Sequence, residues 1–212
     1  MSMKISKWTI LSAAVLLLGT VALAQDSSTT STQSTTPAQQ PTVGQRKENQ
    51  QDRIANGVKS GQLTAGETSK LESKEAAING EVQADRAANG GKLTAAEKQQ
   101  INRQQNRVSK QIYNDKHNAN TAHYGNNEVG QRRENQQDRI AQGIKSGQLT
   151  AGETAKLENQ QRGINQQVKA DRQANGGKLT QGEKQQVNRE QNTASRNIYN
   201  KKHNANTQHP KK

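Results

Sequence analysis

The chain has 212 residues, of which 28% are hydrophobic and 2% aromatic, with no cysteine and no phenylalanine, and it carries a formal net charge of +13. That composition excludes disulfides and thiol chemistry. It leaves little apolar bulk for a dry catalytic pocket, and it favours contact with polyanions such as nucleic acid, lipopolysaccharide or acidic lipid.

The first element, residues 1–24, reads as a secretory signal. Lys4 and Lys7 precede an apolar stretch from Ile10 to Leu23, and the small-residue end Ala22-Leu23-Ala24 places cleavage before Gln25. The stretch is shorter than the roughly twenty residues that span a bilayer. No later segment is apolar enough to span, so a periplasmic or secreted protein with no membrane span after cleavage is expected. The rest holds 29 basic against 18 acidic residues, a net +11. Residues 25–42 are rich in Ser, Thr and Gln with two prolines and no large apolar side chain, the composition of a disordered tether.

From Val43 the chain is written twice. VGQRKENQQDRIANGVKSGQLTAGE returns from Val129 as VGQRRENQQDRIAQGIKSGQLTAGE, and about 58 of 84 aligned positions are identical at an offset of 86. This defines repeat 1 at 43–128 and repeat 2 at 129–212. Within each copy, Leu63, Thr64, Glu67 and Leu71 are echoed thirty residues on by Leu93, Thr94, Glu97 and Ile101.

The turns explain the echo. In Leu63-Thr64-Ala65-Gly66-Glu67 the Thr hydroxyl accepts from the amide three residues on, the Glu carboxylate reaches back, and Leu63 stands at the staple position. Such capping boxes recur at Thr64/Glu67, Thr94/Glu97, Thr150/Glu153 and Thr180/Glu183, each just after glycine able to end the preceding helix. They predict helices near 45–59, 65–88 and 95–117, and again 86 residues on.

Leu71, Ile78 and Val82, like Ile101, Val108 and Ile112, step by seven and four, one narrow apolar stripe per helix. With eleven Val, Ile and Leu in the first copy, a deep core is not expected. The expectation is all-α: a tandem duplication of slender three-helix units or helical hairpins that rely on self-association.

Enzymatic constellations are missing: there is no Cys nucleophile, no His-Glu-x-x-His pair and no Gly-Lys-Ser/Thr phosphate loop. No catalytic residue, cofactor or metal ligand is assigned. His117, His123, His203 and His209 recur six apart in Asn-rich segments, poor metal spacing, and read as surface residues near helix ends. Asp85 to Glu97 resembles a calcium loop in its Asp, Asn-Gly and late Glu, yet Ala87 stands at position three and the Glu comes one residue late. On a helical wheel Arg103, Arg107 and Lys110 gather opposite Ile101, Val108 and Ile112, which suggests a polyanion-binding face whose counterparts are Arg189 and Arg196. The stacking aromatics of a nucleic-acid module are lacking.

The strings Arg53-Ile54 with Gly57, Ser60-Gly61-Gln62-Leu63-Thr64 with Glu67, and the ending Ile112-Tyr113 with Lys116-His117 resemble a group of uncharacterised exported bacterial proteins with the same Leu-Thr-x-x-Glu turns. More loosely, the repeated Leu-Thr-x-x-Glu is similar to the Leu-Thr-x-x-Gln motif of the Spy/CpxP periplasmic stress-protein family, with Glu in place of Gln in all four turns. That likeness implies a small, basic, all-helical binder of unfolded proteins. The leading expectation is a non-enzymatic exported binding protein of the cell envelope, holdase-like. A binder of anionic polymers or the envelope surface is the alternative, and a calcium or metal binder the third.

Overall fold

The computed structural model describes residues 40–208, so the expected signal, most of the expected tether and His209 lie outside the described residues. Six helices follow in order: α1 (Val43–Lys59), α2 (Ala65–Ala88), α3 (Ala95–Lys116), α4 (Glu128–Lys145), α5 (Ala151–Ala174) and α6 (Gln181–Lys202). There is no strand among the described residues. The protein is all-α.

Local chemistry sets the helix starts. Thr64, Thr94, Thr150 and Thr180 are N-caps, each accepting from the N–H of its partner Glu while that Glu accepts from the Thr N–H. Thr42 with Gln45 forms a further box that opens α1 at a residue the composition assigned to the tether. Gly61 ends the α1 turn at φ +70°, and the Leu63 N–H then returns to the Gly57 carbonyl at 3.0 Å. Gly57 is needed for that return, since a Cβ there would lie 2.7 Å from the Leu63 side chain. Gly143 and Leu149 repeat the arrangement at 2.6 Å.

Tertiary packing joins like to like. Within each copy the third helix packs on the first two, and between copies α2 meets α5 and α1 meets α4, each helix against its own counterpart. The Ser69 hydroxyl donates to the Ala155 carbonyl at 3.1 Å, and these are equivalent positions of the two copies. Gly66 lies against Arg162 while Gly152 lies against Ala76, again equivalent pairs, so α2 and α5 run antiparallel. This is the geometry of a two-fold homodimer interface, built inside one chain.

The core follows the junction. Ile54, Val58, Leu63, Leu71, Ile101 and Ile112 of the first copy share one cluster with Ile140, Ile144, Leu149, Leu157 and Ile198 of the second. A smaller cluster, including Ile164, Val168 and Val187, fills the far end of the second copy. The expected thin stripes are thus pooled. Much of the remaining interior is polar, including Gln50, Gln51, Thr68, Glu72, Glu75, Gln136, Gln137, Glu158 and Gln161.

Candidate functional site: buried carboxylates and a cationic groove

Two arrangements stand out. The first is a carboxylate seam where α1, α2, α4 and α5 meet. Glu72 and Glu75 lie between Leu71 and Ile78 on α2, one helical turn apart, so the packing that buries those apolar side chains takes the carboxylates with them. Glu72 accepts from Gln51 Nε2 at 3.0 Å, and its equivalent Glu158 accepts from Gln137 Nε2 at 3.0 Å. The other oxygen of each, and both oxygens of Glu75, have no hydrogen-bond partner.

Burial dominates their titration. It pushes the Glu72 carboxyl up to about 8 against the Gln51 hydrogen bond, with Glu75, Glu158 and the opposing Lys47 as further neighbours. Burial likewise raises Glu158 to about 8 and Glu75 to about 7, the latter against the attraction of Lys47. None of these three carboxylates lines the groove described below. Burial thus favours the neutral form of all three carboxyls.

The cap carboxylates behave in the opposite way. Partial burial of Glu67 is outweighed by hydrogen bonds from Thr64, Asn118 and Asn120, and its carboxyl is held below the usual range. Asn118 Nδ2 donates to Glu67 at 2.8 Å and Asn204 Nδ2 to Glu153 at 2.6 Å, so each copy's tail closes on its own α1–α2 or α4–α5 turn. Glu97 and Glu183 are held low chiefly by the Thr94 and Thr180 amides. The sequence showed the caps but not the tail asparagines, whose only signal was the repeated His-Asn-Ala-Asn-Thr.

The expected cationic face is where the wheel put it. Arg103, Arg107 and Lys110 are exposed along α3, and Arg189 and Arg196 are exposed on α6. The helices α3 and α6 do not touch, so the structure keeps the two sets apart. The calcium-like turn is closed by its own side chains, with Asn89 Nδ2 donating to Glu97 at 2.8 Å. His117 stacks on Tyr113 at 4.2 Å and His203 on Tyr199 at 4.1 Å. Among the described residues no group of three or more His, Asp or Glu is placed to hold a metal ion.

The second arrangement was not read from the sequence. A groove of about 1240 Å³ lies between the tail of the first copy, the start of α2 and the sides of α4 and α5. Arg133, Arg162, Lys169, Arg172 and His123 line it, with no carboxylate among the lining residues. The Arg133 guanidinium sits over the Tyr124 ring, 5.4 Å from its centre.

No family model, no curated protein and no solved structure matches this chain. The described residues contain no helix long and apolar enough to cross a membrane.

Proposed function

We propose that the protein is a non-enzymatic, exported binding protein of the cell envelope that engages acidic polymers through its cationic surface. The observation that carries this reading is where the acids go. Of the 18 Asp and Glu in the chain, Glu72, Glu75 and Glu158 lie in the interior, where burial favours the neutral carboxyl. The surface is therefore more basic than the net charge implies. Arg103, Arg107 and Lys110 are exposed and form no ion pair among the described residues.

The test is retention on heparin and on an acidic polysaccharide across a salt series. Neutralising Arg103, Arg107, Lys110, Arg189 and Arg196 to Gln should lower the salt slope by up to about five phosphate-equivalent contacts. An unchanged slope would remove these helices from the binding surface.

The holdase-like reading has one observation in its favour: Tyr113 and Tyr199, 58% and 57% exposed, present an aromatic edge on α3 and α6. They are the only large hydrophobic side chains exposed among the described residues, a small area for capturing unfolded chains. Suppression of client aggregation that persists at high salt and is lost on Tyr113→Ser with Tyr199→Ser would turn the decision to that reading.

A further inference from the structure

We propose that the groove beside Tyr124 is a binding site for a short acidic saccharide, with Arg162, Lys169 and Arg172 holding its carboxylate or phosphate and Gln137 accepting from a sugar hydroxyl. The proposal rests on the polyanion reading and gives it a ligand class.

The first support is an unpartnered polar group. Gln137 is 4% exposed and lines the groove, its Nε2 donates to Glu158 at 3.0 Å, and its Oε1 has no partner. A buried amide carbonyl without a donor is destabilising, so the site favours whatever brings one. The second support is the equivalent place in the other half. There Gln51 Oε1 accepts from Gln208 Nε2 at 2.6 Å. Both tails are anchored alike, through Ala122 N–H to the Gly61 carbonyl at 2.8 Å and Gln208 N–H to the Gly147 carbonyl at 2.9 Å. Ala122 stands where Gln208 stands, and it is too short to fill the groove.

The third support is divergence. Eight of the eleven positions from Ser73 to Gln83 differ from their counterparts on α5, the densest run of differences between the copies. Ala76 becomes Arg162 and Gln83 becomes Lys169, and both of these cations line the groove. Arg162 also crosses the first turn of α2, its Cδ 3.3 Å from where a Gly66 Cβ would stand. One of two equivalent places has been plugged by the chain itself, and the other opened and charged.

The chemistry selects the ligand. Arg133 covers a face of Tyr124, and His123, the other ring in the lining, is tied through Nε2 to the Thr121 hydroxyl at 2.7 Å, so neither is an uncommitted stacking platform for a nucleic-acid base. Asn165 and Gln166 supply further amides of the kind that match sugar hydroxyls. The volume exceeds the roughly 300–1,000 Å³ of a drug-sized pocket and suits a ligand of about two or three sugar rings.

The full chain is titrated calorimetrically with trigalacturonate, glucose 1-phosphate, inorganic phosphate, a neutral trisaccharide and a single-stranded oligonucleotide. Expected is one site per chain for trigalacturonate or for the sugar phosphate, the better of the two identifying the acid. Arg162→Ala with Lys169→Gln, residues borrowed from the other copy, should weaken binding by roughly tenfold to a hundredfold. Ala122→Gln should abolish it while leaving the melting temperature unchanged or higher. Two sites per chain, indifference to these variants, equal binding of inorganic phosphate or the neutral sugar, or tighter binding of the oligonucleotide would each overturn the proposal. Arg103→Gln with Arg107→Gln and Lys110→Gln separates the two readings. Heparin retention that depends on α3 while trigalacturonate and the sugar phosphate fail to bind sinks the groove alone. Heparin retention indifferent to α3 and α6 sinks the broader reading.

Discussion

In the first copy Glu75 lies buried with both carboxylate oxygens unpartnered, whereas its counterpart Gln161 donates to Gln136 Oε1 at 3.0 Å. The same position, at the same depth, is a carboxyl in one half and a neutral amide in the other. The two halves share the caps of their second and third helices, their turns and most of their apolar positions. What separates them are polar side chains at the junction, where neither half is complete without the other. A duplicated domain whose copies pack on each other is free to vary the shared face asymmetrically, which a homodimer cannot do.

The largest effect should come from separating the halves. Isolated residues 129–212 should dimerise at neutral pH, with α5 pairing on α5. Isolated 43–128 should dimerise only in mild acid, because its dimer would bury four carboxylates, Glu72 and Glu75 twice over. Sedimentation and circular dichroism at pH 5 and pH 8 decide it. Two folded monomers at both pH values would refute the shared core.

Next in size is the pH dependence of the intact protein. The folded carboxyls of Glu72, Glu75 and Glu158 titrate near 8, 7 and 8, above the ordinary 4.5. An unfolded chain therefore releases these protons first as pH rises, so stability falls from about pH 4.5 upward and the loss is complete only above about pH 8. The cap carboxyls Glu67, Glu97, Glu153 and Glu183 are held low and act at the other end, losing their contribution below the ordinary range. Melting temperature should peak near pH 5. Glu75→Gln, which gives the first copy the residue of the second, should raise it by about 5 °C at pH 8, on the order of 2 kcal/mol, and change it little at pH 5. A flat profile in the parent would mean that the seam is solvated.

The smallest effect distinguishes inner from outer caps. Glu67 serves the Thr64 amide, the Thr64 hydroxyl, Asn118 and Asn120, while Glu97 serves the Thr94 amide and Asn89. Thr64→Ala should cost about 1–2 kcal/mol and Thr94→Ala about 0.5–1 kcal/mol by denaturant melts. Equal losses would show that the tail does not depend on the cap.

These contrasts also mark how far the sequence could be read. Caps and glycine turns act over three to six residues, so Thr64/Glu67 and its three repeats located the helices, and the helical wheel placed Arg103, Arg107 and Lys110 on an exposed face. Burial of Glu72, Glu75 and Glu158 was invisible, because periodicity counts apolar residues and these carboxylates flank the stripe. The groove at Tyr124 was invisible for another reason. Its lining joins residues 64–66, 119–124, 133–137 and 162–177, which meet only when the halves pack. Even so, Ala122 against Gln208 and Ala76 against Arg162 stood in the alignment as differences with no local explanation.

The bond between Gln208 and Gln51 spans 157 residues of sequence. Helical proteins are usually fast folders because their contacts are local, but here the α1–α4 and α2–α5 pairings join segments 86 residues apart. A chain that emerges N-terminus first would form α1 to α3 with no counterpart to receive Ile54, Leu71 or Glu72. The first half must wait, with its interior open, until the second is made. Its vulnerable period is therefore set by how fast residues 129–212 arrive.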